Sequence, residues 1–538
     1  MRQWGRSLIN TYLTIDPRSL GLFRWGFGLV LLSDLLRRWA DLGIWYTNSG
    51  LLPNHTLLWR PPARSMFSLF FTVSNSFEAH LGFLLCAIVY LLFTVGYRTR
   101  WLQVFALVAR VSVNTRLAVL ENGGDMVMDL LCLLTLPLPL GTRFSLDALL
   151  QQPAKPAGSA EDGQQPEVSA NVTPVVSIAV LALILQFSAI YLFNALSKNG
   201  PAWRDGTAVY YALHQDKLVT WIGVWMREHL SLSVLRALTW STLATEGFAF
   251  ALIITPVCVV EARLLAICIL PPLHFAFALG LNLGGFTPAM MSFYPLLLRP
   301  EHWQWLSRRY RARVQPIRAS LQREALKWFD PQPPPEPITG TNRWVIEGAV
   351  ALVLVAIVSE AVNDNTPVPQ ALRFSQPRWA KAVIEYPRIL QGWRMFASEP
   401  SRVDSMIYVD AVTARGEHVD PYNEVASDHH RPAGTIVPRH MGQSQFFVMY
   451  SERIPYDGYA AYRQAFSEWL VAYPERTGHP EDCLMSYDVY LVTDRTPEPG
   501  SGKQPTPLDR QRFMSYSAPY DSPCRVENQK RVSVNAHQ

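Results

Sequence analysis

The sequence predicts a polytopic α-helical membrane protein with about nine transmembrane helices, followed by a small α+β extracytoplasmic domain. Hydrophobic residues make up 49% of the 538 residues and charged residues only 17%, whereas a typical globular domain carries about 25% charged residues. The shortage of charge is concentrated in the first part of the chain, where long apolar runs recur. The last third has an ordinary mixed composition, which indicates a membrane part followed by a soluble part.

Apolar runs define the membrane part, because a helix that crosses a bilayer needs about 20 such residues. The run at 286–298 is short and contains two prolines, so whether it crosses fully stays open. The predicted spans are 19–39, 78–97, 101–120, 125–141, 173–196, 234–256, 262–282, 286–298 and 344–361. The predicted units are a first four-helix membrane half at 1–150, a disordered cytoplasmic linker at 151–172, and a second membrane half at 173–363 with a basic cytoplasmic loop at 299–343.

Arginines predict the orientation, because loops rich in Lys and Arg face the cytoplasm. With nine spans, the basic loops fall on one side: Arg2, Arg6 and Arg18, then Arg98 and Arg100, then loop 299–343. We therefore expect a multi-pass protein of the cell membrane with a cytoplasmic N-terminus and an extracytoplasmic C-terminal domain. The pair Arg37-Arg38 goes against this rule and is interpreted as snorkelling from a tilted helix. The lipid bilayer is the first expected partner. Nucleic acid is excluded, because no lysine-rich arm with interleaved aromatic residues occurs.

The tail is predicted to form an α+β domain at 364–495 and a loose segment at 496–538. The expected strands and helix are strands 407–413, 446–450 and 485–492 and an amphipathic helix at 457–473. Cys483 and Cys524 are a possible disulfide if the tail lies outside the cytoplasm. The other cysteines lie in apolar runs and no Cys/His zinc spacing occurs, so no metal site is expected.

Charged residues inside a span are costly and tend to face a partner, a cavity or a site. The sequence has such residues at Arg24, Asp34, Arg110, Arg116 and Glu246. For Glu246, an ion pair between helices and a catalytic role are equal alternatives. His274 and Asn282, in the seventh span, are candidate pocket residues, although a hydrogen-bonded packing role is favoured for His274.

Lys198, Trp203 and Arg204 follow the fifth predicted span. One interpretation is anchoring at the membrane–water interface, for which aromatic and basic residues are typical. The other is a cationic rim for an acidic substrate or a quinol-like headgroup. The three residues are therefore candidates for substrate binding.

The stretch LAVLENGGDMVM at 117–128 places Glu121, Asn122 and Asp125 around a Gly-Gly turn between two apolar runs. A helix-capping turn explains Asn122 and Asp125. It does not explain Arg110 and Arg116 in the preceding span, so these residues are also predicted to line a pocket. Glu121 and Asp125 are candidate catalytic carboxylates, although a carboxylate base needs a raised pKa and nearby arginines oppose this.

Several of these segments, taken in order from about residue 14 to 306, resemble the HTTM family, which is related to vitamin K-dependent gamma-glutamyl carboxylase. The segments are TIDPRSLGLFRWGFGLVLLSDLLRRW, GYRTRW, ENGGDMVMDLL, YLFNALSKNGPAWRDGTAVYYAL, TWSTLATEGFAFAL and LHFAFALGLNLGGFTPAMMSFYPLL. In the tail, LQGWRMFASEPSRVDSMIYVDAV is similar to the Gln-x-Trp-x-x-Phe signature of a partner protein that matures a secreted sporulation-delaying toxin in bacteria.

The resemblance implies a helical bundle whose site opens on the outer side. In the carboxylase, a lysine deprotonates a reduced quinone, and glutamates of exported proteins are carboxylated. Aligned on ENGGD, that lysine would fall near Ala118, but the chain has no lysine between 101 and 154. Enzymatic activity therefore stays uncertain, and the cofactor is unknown, with a reduced quinone or a lipid implied by resemblance.

Three functions follow as alternatives. The first is help in the modification or maturation of an exported peptide or protein substrate on the outer membrane face. The second is a non-catalytic scaffold or a lipid- or quinone-binding partner. The third is a glutamyl carboxylase, which the missing lysine weakens. A transporter is not favoured, because no matching pair of broken helices in two repeats is evident.

Overall fold

A computed structural model describes residues 6–59, 65–151, 173–333, 339–426, 444–501, 509–522 and 524–525. These residues are mostly helical, and a small sheet lies near the C-terminus. The predicted linker at 151–172 lies outside the described residues apart from Gln151.

Helices dominate the membrane part. The longer ones are α1 (Pro17–Trp39), α2 (Ser76–Val95), α3 (Thr99–Arg116), α4 (Gly123–Thr135), α5 (Ile178–Ser197), α6 (Leu232–Ile254), α7 (Val259–Gly280), α8 (Phe286–Phe293), α9 (Pro300–Trp328) and α10 (Gly340–Asp364). Short helices lie at Leu42–Tyr46, Asn54–Trp59, Leu146–Leu150, Pro201–Arg204, Ala208–Leu213 and Trp221–His229. A two-stranded ladder pairs Thr14–Ile15 with Val175–Val176.

Six helices in the described residues, α1, α2, α5, α6, α7 and α10, are long and apolar enough to cross a membrane. The shortest of them has 20 residues, or about 30 Å of helix, which matches the hydrocarbon core of a bilayer. The chain is therefore compatible with an integral membrane protein. The other three predicted spans coincide with α3, α4 and α8. These helices have 18, 13 and 8 residues, and the 13 residues of α4 reach only about 20 Å.

Local sequence signals explain the ends of the first two spans. The carboxylate of Asp16 caps α1 by accepting from the backbone N–H of Arg18, and Pro17 occupies the first helical turn, where its missing N–H has no cost. Asn75 caps α2 in the same way, and Gly96 ends that helix at a φ of +80°, which glycine adopts without strain. α1 and α2 then pack side by side, as do α5 and α6.

The tail contains a five-stranded antiparallel sheet. Its strands are β1 (Val403–Thr413), β2 (His418–Asp420), β3 (Val425–Ala426), β4 (Leu484–Arg495) and β5 (Asp509–Ser517), in the order β3-β2-β1-β4-β5. Helices Arg378–Glu385, α11 (Gln445–Arg453), α12 (Arg463–Val471) and Tyr473–Thr477 accompany it. The sheet confirms two predicted strands, 407–413 and 485–492.

Two expectations for the tail differ from the structure. Residues 446–450, predicted as a strand, belong to helix α11, because their aromatic rings are buried on more than one side: Phe447 contacts both Trp45 and Tyr422. Burial of this kind overrides the strand propensity of aromatic residues. The segment 496–538, predicted as loose, contributes the edge strand β5, and Cys524 is joined to Cys483 in a disulfide.

Candidate functional site

The turn between α3 and α4 forms a capping box. The side chain of Asn122 accepts from the backbone N–H of Gly124 at 2.9 Å, and Asp125 accepts from the backbone N–H of Asn122 at 3.2 Å. The Gly-Gly pair also permits close packing, because a Cβ at Gly124 would lie 2.4 Å from the backbone nitrogen of Phe286. The turn is thus held against the start of α8.

A buried network of arginines and carboxylates surrounds this turn. Arg110 contacts three carboxylates: Asp34 at 2.8 Å, Asp125 at 2.7 Å and Asp129 at 2.9 Å. Arg38 bridges Asp34 and Asp125. All five side chains are buried. Two arginines therefore hold Asp125 in this network.

Glu121 belongs to a different contact, because it binds the tail. Arg388 donates to both of its carboxylate oxygens, at 3.2 and 2.5 Å, and the side-chain nitrogen of Asn114 donates at 2.9 Å. Arg453, on α11, donates to the backbone oxygens of Val119 and Glu121. The ENGGD turn is therefore where the membrane part and the tail are joined by ion pairs and hydrogen bonds.

A second buried cluster lies where α5 ends. Lys198 forms an ion pair with Glu246 of α6, and both side chains are buried. The Lys198 ammonium lies 4.8 Å from the centroid of the Trp203 ring, within range of a cation–π contact. The structure therefore joins Lys198, Trp203 and Glu246 in one site, whereas Arg204 is exposed and lies outside it.

A chain of neutral polar groups adjoins this pair. The hydroxyl of Tyr191 is 2.8 Å from Nε2 of His274 and 2.7 Å from the hydroxyl of Tyr294. His274 is hydrogen-bonded and packed as the sequence favours, but its buried Nδ1 has no hydrogen-bond partner in the described part of the chain. Lys198 is close enough to His274, and Glu246 to Tyr191, for their charges to interact.

The tail segment 388–399 covers α5 between the two clusters. Gln391 accepts from the side chain of Gln186 at 2.8 Å and from the indole of Trp393 at 3.0 Å. Further along, the backbone N–H of Met395 donates to Asn194 at 2.9 Å, and the backbone oxygen of Phe396 accepts from the indole of Trp203 at 3.0 Å. The segment with the Gln-x-Trp-x-x-Phe pattern is thus built into the wall of the Lys198 site.

A cavity of about 420 Å³ opens beside the start of α8. Asn282 lines it as the sequence predicts for a pocket residue, and the buried hydroxyl of Thr287 has no partner among the described residues. Phe286, next to this lining, has its ring 5.7 Å from that of His274. The cavity is lined by Val219, Thr220, Trp221, Ala278, Leu281, Asn282, Leu283, Gly284, Thr287 and Pro288.

Arg116 is fully buried at the end of α3, and none of its three side-chain nitrogens has a hydrogen-bond partner in the described residues. The sequence predicts it as a pocket residue; in the described part of the chain the phenol of Tyr46 lies nearby, whereas no carboxylate forms an ion pair with it. Within the described ranges, no three His, Cys, Asp or Glu side chains converge in a way that could hold a metal ion.

Sequence reasoning missed several members of these clusters. Asp129 lies one helical turn after Asp125 inside a predicted span, so the rule on charges in spans could have found it. Tyr191 and Tyr294 give no such signal, because tyrosine is common in membrane helices. Arg388 and Gln391 lie in an irregular segment whose role is evident only from its packing on α5.

Comparisons of the chain with models of protein families, with curated proteins and with solved structures found no match.

Proposed function

We propose that the chain is an integral membrane protein that matures an exported peptide or protein, with Lys198 and Glu246 as its proton-transferring pair. The observation that carries the proposal is the burial of this single ion pair in the bundle. Intramembrane charges are costly and usually serve a function. Here the pair adjoins a chain of hydrogen bonds in which Tyr191 links His274 to Tyr294 and that could relay a proton.

The chemistry favours Lys198 over the other candidates. Transfer of one proton from the ammonium to Glu246 leaves a neutral amine and a neutral carboxylic acid, and the amine can then accept a proton from a substrate. Asp125 and Glu121 lack this freedom, because arginines that stay protonated hold both of them. The resemblance to the carboxylase implies a lysine base near Ala118, and we propose that Lys198 takes this role from α5 instead.

The packing of α5 against α10 supports our proposal for the side on which the site opens. Glu347, near the start of α10, accepts from the backbone N–H of Ile178 at the start of α5 at 2.7 Å. The ends of both helices therefore lie at the opposite end of the bundle, where Lys198 and the tail are found. We propose nine crossings with this end outside the cell, and the disulfide between Cys483 and Cys524 is of the kind that persists in an oxidising compartment.

A second candidate function, a lipid- or quinone-binding scaffold without chemistry of its own, is favoured by the cavity beside α8. Its mostly apolar lining, with the polar groups of Asn282 and Thr287, fits an amphiphilic ligand. Glutamyl carboxylation is the narrower enzymatic alternative, and it would use a reduced quinone as co-substrate.

Mass spectrometry of exported peptides separates these functions. We expect a covalent mass change that depends on the gene, is lost in Lys198→Met and Glu246→Gln, and is retained in Lys381→Met, whose lysine is exposed. If no covalent change depends on the gene, the enzymatic proposal is wrong and the scaffold remains. Fixation of labelled bicarbonate into a Glu-containing peptide, with a reduced quinone present, would assign the carboxylase alternative.

A further inference from the structure

Helix α9 is attached to the membrane bundle at both of its ends. Near its start, the indole of Trp303 donates to the hydroxyl of Ser19 at 2.8 Å. Just after its end, the ring of Phe329 lies 5.6 Å from that of Tyr97, and the backbone N–H of Gln332 donates to Leu150. The helix, with 29 residues and a length of about 44 Å, is therefore held at one end of the bundle.

One face of α9 is apolar and uncovered. Tyr310, Ile317, Leu321 and Trp328 are 42%, 60%, 54% and 82% exposed. Their spacing of seven and four residues places them on the same side of the helix. Long apolar side chains in such a stripe are normally buried against a partner. In the described residues, the stripe faces open space.

The rest of the helix has a strongly basic sequence. The helix has seven basic residues and only two acidic ones, Glu301 and Glu324. The basic residues are Arg308, Arg309, Arg311, Arg313, Arg318, Arg323 and Lys327. Burial and the neighbouring charges of Arg318 and Arg18 lower the pKa of Arg143, which lies beside the helix. Cations from three parts of the chain therefore meet at this surface. Asp16 pairs with Arg18 and offsets part of their charge, and an anionic partner would offset more of it.

We propose that α9 lies in the plane of the membrane surface and binds anionic phospholipid headgroups. A basic amphipathic helix with Trp and Leu on its apolar face is typical of this binding mode. The apolar stripe would enter the boundary between headgroups and acyl chains, while the arginines contact phosphates. A nucleic acid would satisfy the charges but leave the stripe in water. Attachment at both ends to the membrane bundle keeps the helix at the bilayer surface.

Cysteine labelling in nanodiscs tests this proposal on the full chain. Leu321→Cys lies on the apolar stripe, and Ala319→Cys, at an exposed position two residues earlier, lies on the opposite side of the helix. Both are made in a background with Cys258→Ser and Cys268→Ser, because these two free cysteines are exposed. In nanodiscs with phosphatidylglycerol, we expect a water-soluble maleimide to label Leu321→Cys at least about tenfold more slowly than Ala319→Cys.

The second part of the test is how the labelling rates depend on the charge of the lipid and of the helix. Two changes should reduce the difference in labelling rate by about fivefold or more: nanodiscs of phosphatidylcholine alone, and the variant Arg318→Gln/Arg323→Gln. Each cation near an anionic membrane surface strengthens binding by about fivefold. Gln304→Ala/Gln315→Ala is the uncharged control on the same helix and should change nothing. Equal labelling rates in anionic nanodiscs would overturn the proposal. Slow labelling of Leu321→Cys that does not depend on lipid charge would also overturn it, as would slow labelling that requires added nucleic acid or a second copy of the chain.

Discussion

The two buried charge clusters are built in opposite ways. Around the ENGGD turn, Arg110 alone contacts three carboxylates, and Arg38 binds two of these again. At the end of α5, one lysine faces one carboxylate. In the first cluster, every carboxylate is held by an arginine, which does not lose its proton. In the second cluster, a lysine and a carboxylate can both become neutral when one proton moves between them. The first arrangement is suited to holding helices together, and the second is the one for which we propose a chemical role.

The largest effect is expected when Arg110, at the centre of the buried network, is replaced. Arg110→Met leaves Asp34, Asp125 and Asp129 buried with fewer partners, and an unpaired buried charge costs about 3 to 5 kcal/mol. We expect most of the protein to be unfolded or lost, measured as the monodisperse fraction after extraction and as melting temperature. Arg204→Met, at an exposed arginine, is the control. A melting temperature equal to that of the control would contradict a structural role for the network.

The Lys198–Glu246 pair should behave differently, because removing both partners leaves no charge behind. Lys198→Met alone leaves Glu246 buried without its lysine partner, and we expect a loss of about 3 kcal/mol in the free energy of unfolding. Lys198→Met/Glu246→Leu should recover most of this loss, as double-mutant cycles of melting curves can measure. If the double variant is as unstable as the sum of the single variants, the pair is not an isolated unit.

A smaller effect is expected at the contact between the tail and the ENGGD turn. Arg388→Gln removes the bidentate contact to Glu121, but Asn114 still donates to that carboxylate. We expect a loss of about 2 kcal/mol in docking, seen as an increase of about 30-fold in amide exchange across 388–399. Arg394→Gln is a matched control, because its pair with Asp364 is half exposed, and exposed pairs contribute little. Equal exchange in the two variants would exclude Glu121 as the anchor.

A pH-dependent effect concerns a carboxylate that has no cation partner among the described residues. Burial raises the pKa of Asp420 in β2 to about 6, against hydrogen bonds from Asn423, Val409 and Tyr422 that lower it. A raised pKa means that the folded state holds the proton more tightly, so this group destabilises the tail as the pH rises from about 4 to 6, by up to about 3 kcal/mol. Asp420→Asn should remove that slope from the pH dependence of amide exchange in 407–423. An unchanged slope would contradict the assignment of this pH dependence to Asp420.

How far the sequence predicts this molecule depends on the range of each interaction. Apolar length predicts nine spans, and six of them coincide with helices of the described residues that are long and apolar enough to cross a membrane. The cost of charge in a span identifies Arg110 and Glu246 as special. Neither rule predicts which charge pairs with which, because Lys198 and Glu246 meet only when α5 packs on α6. The same limit explains the wrong strand at 446–450, whose aromatic residues are buried by contacts far along the chain. The role of segment 388–399 is likewise a consequence of packing and has no periodic signal.

One substitution tests most directly whether the lysine pair is reactive and the arginine network is structural. Lys198→Arg keeps a positive charge beside Glu246 but replaces the amine with a group that does not lose its proton. We predict that the variant keeps a melting temperature close to that of the wild type while the gene-dependent mass change of exported peptides disappears. A stable variant that still produces the full mass change would contradict the assignment of Lys198 as the base.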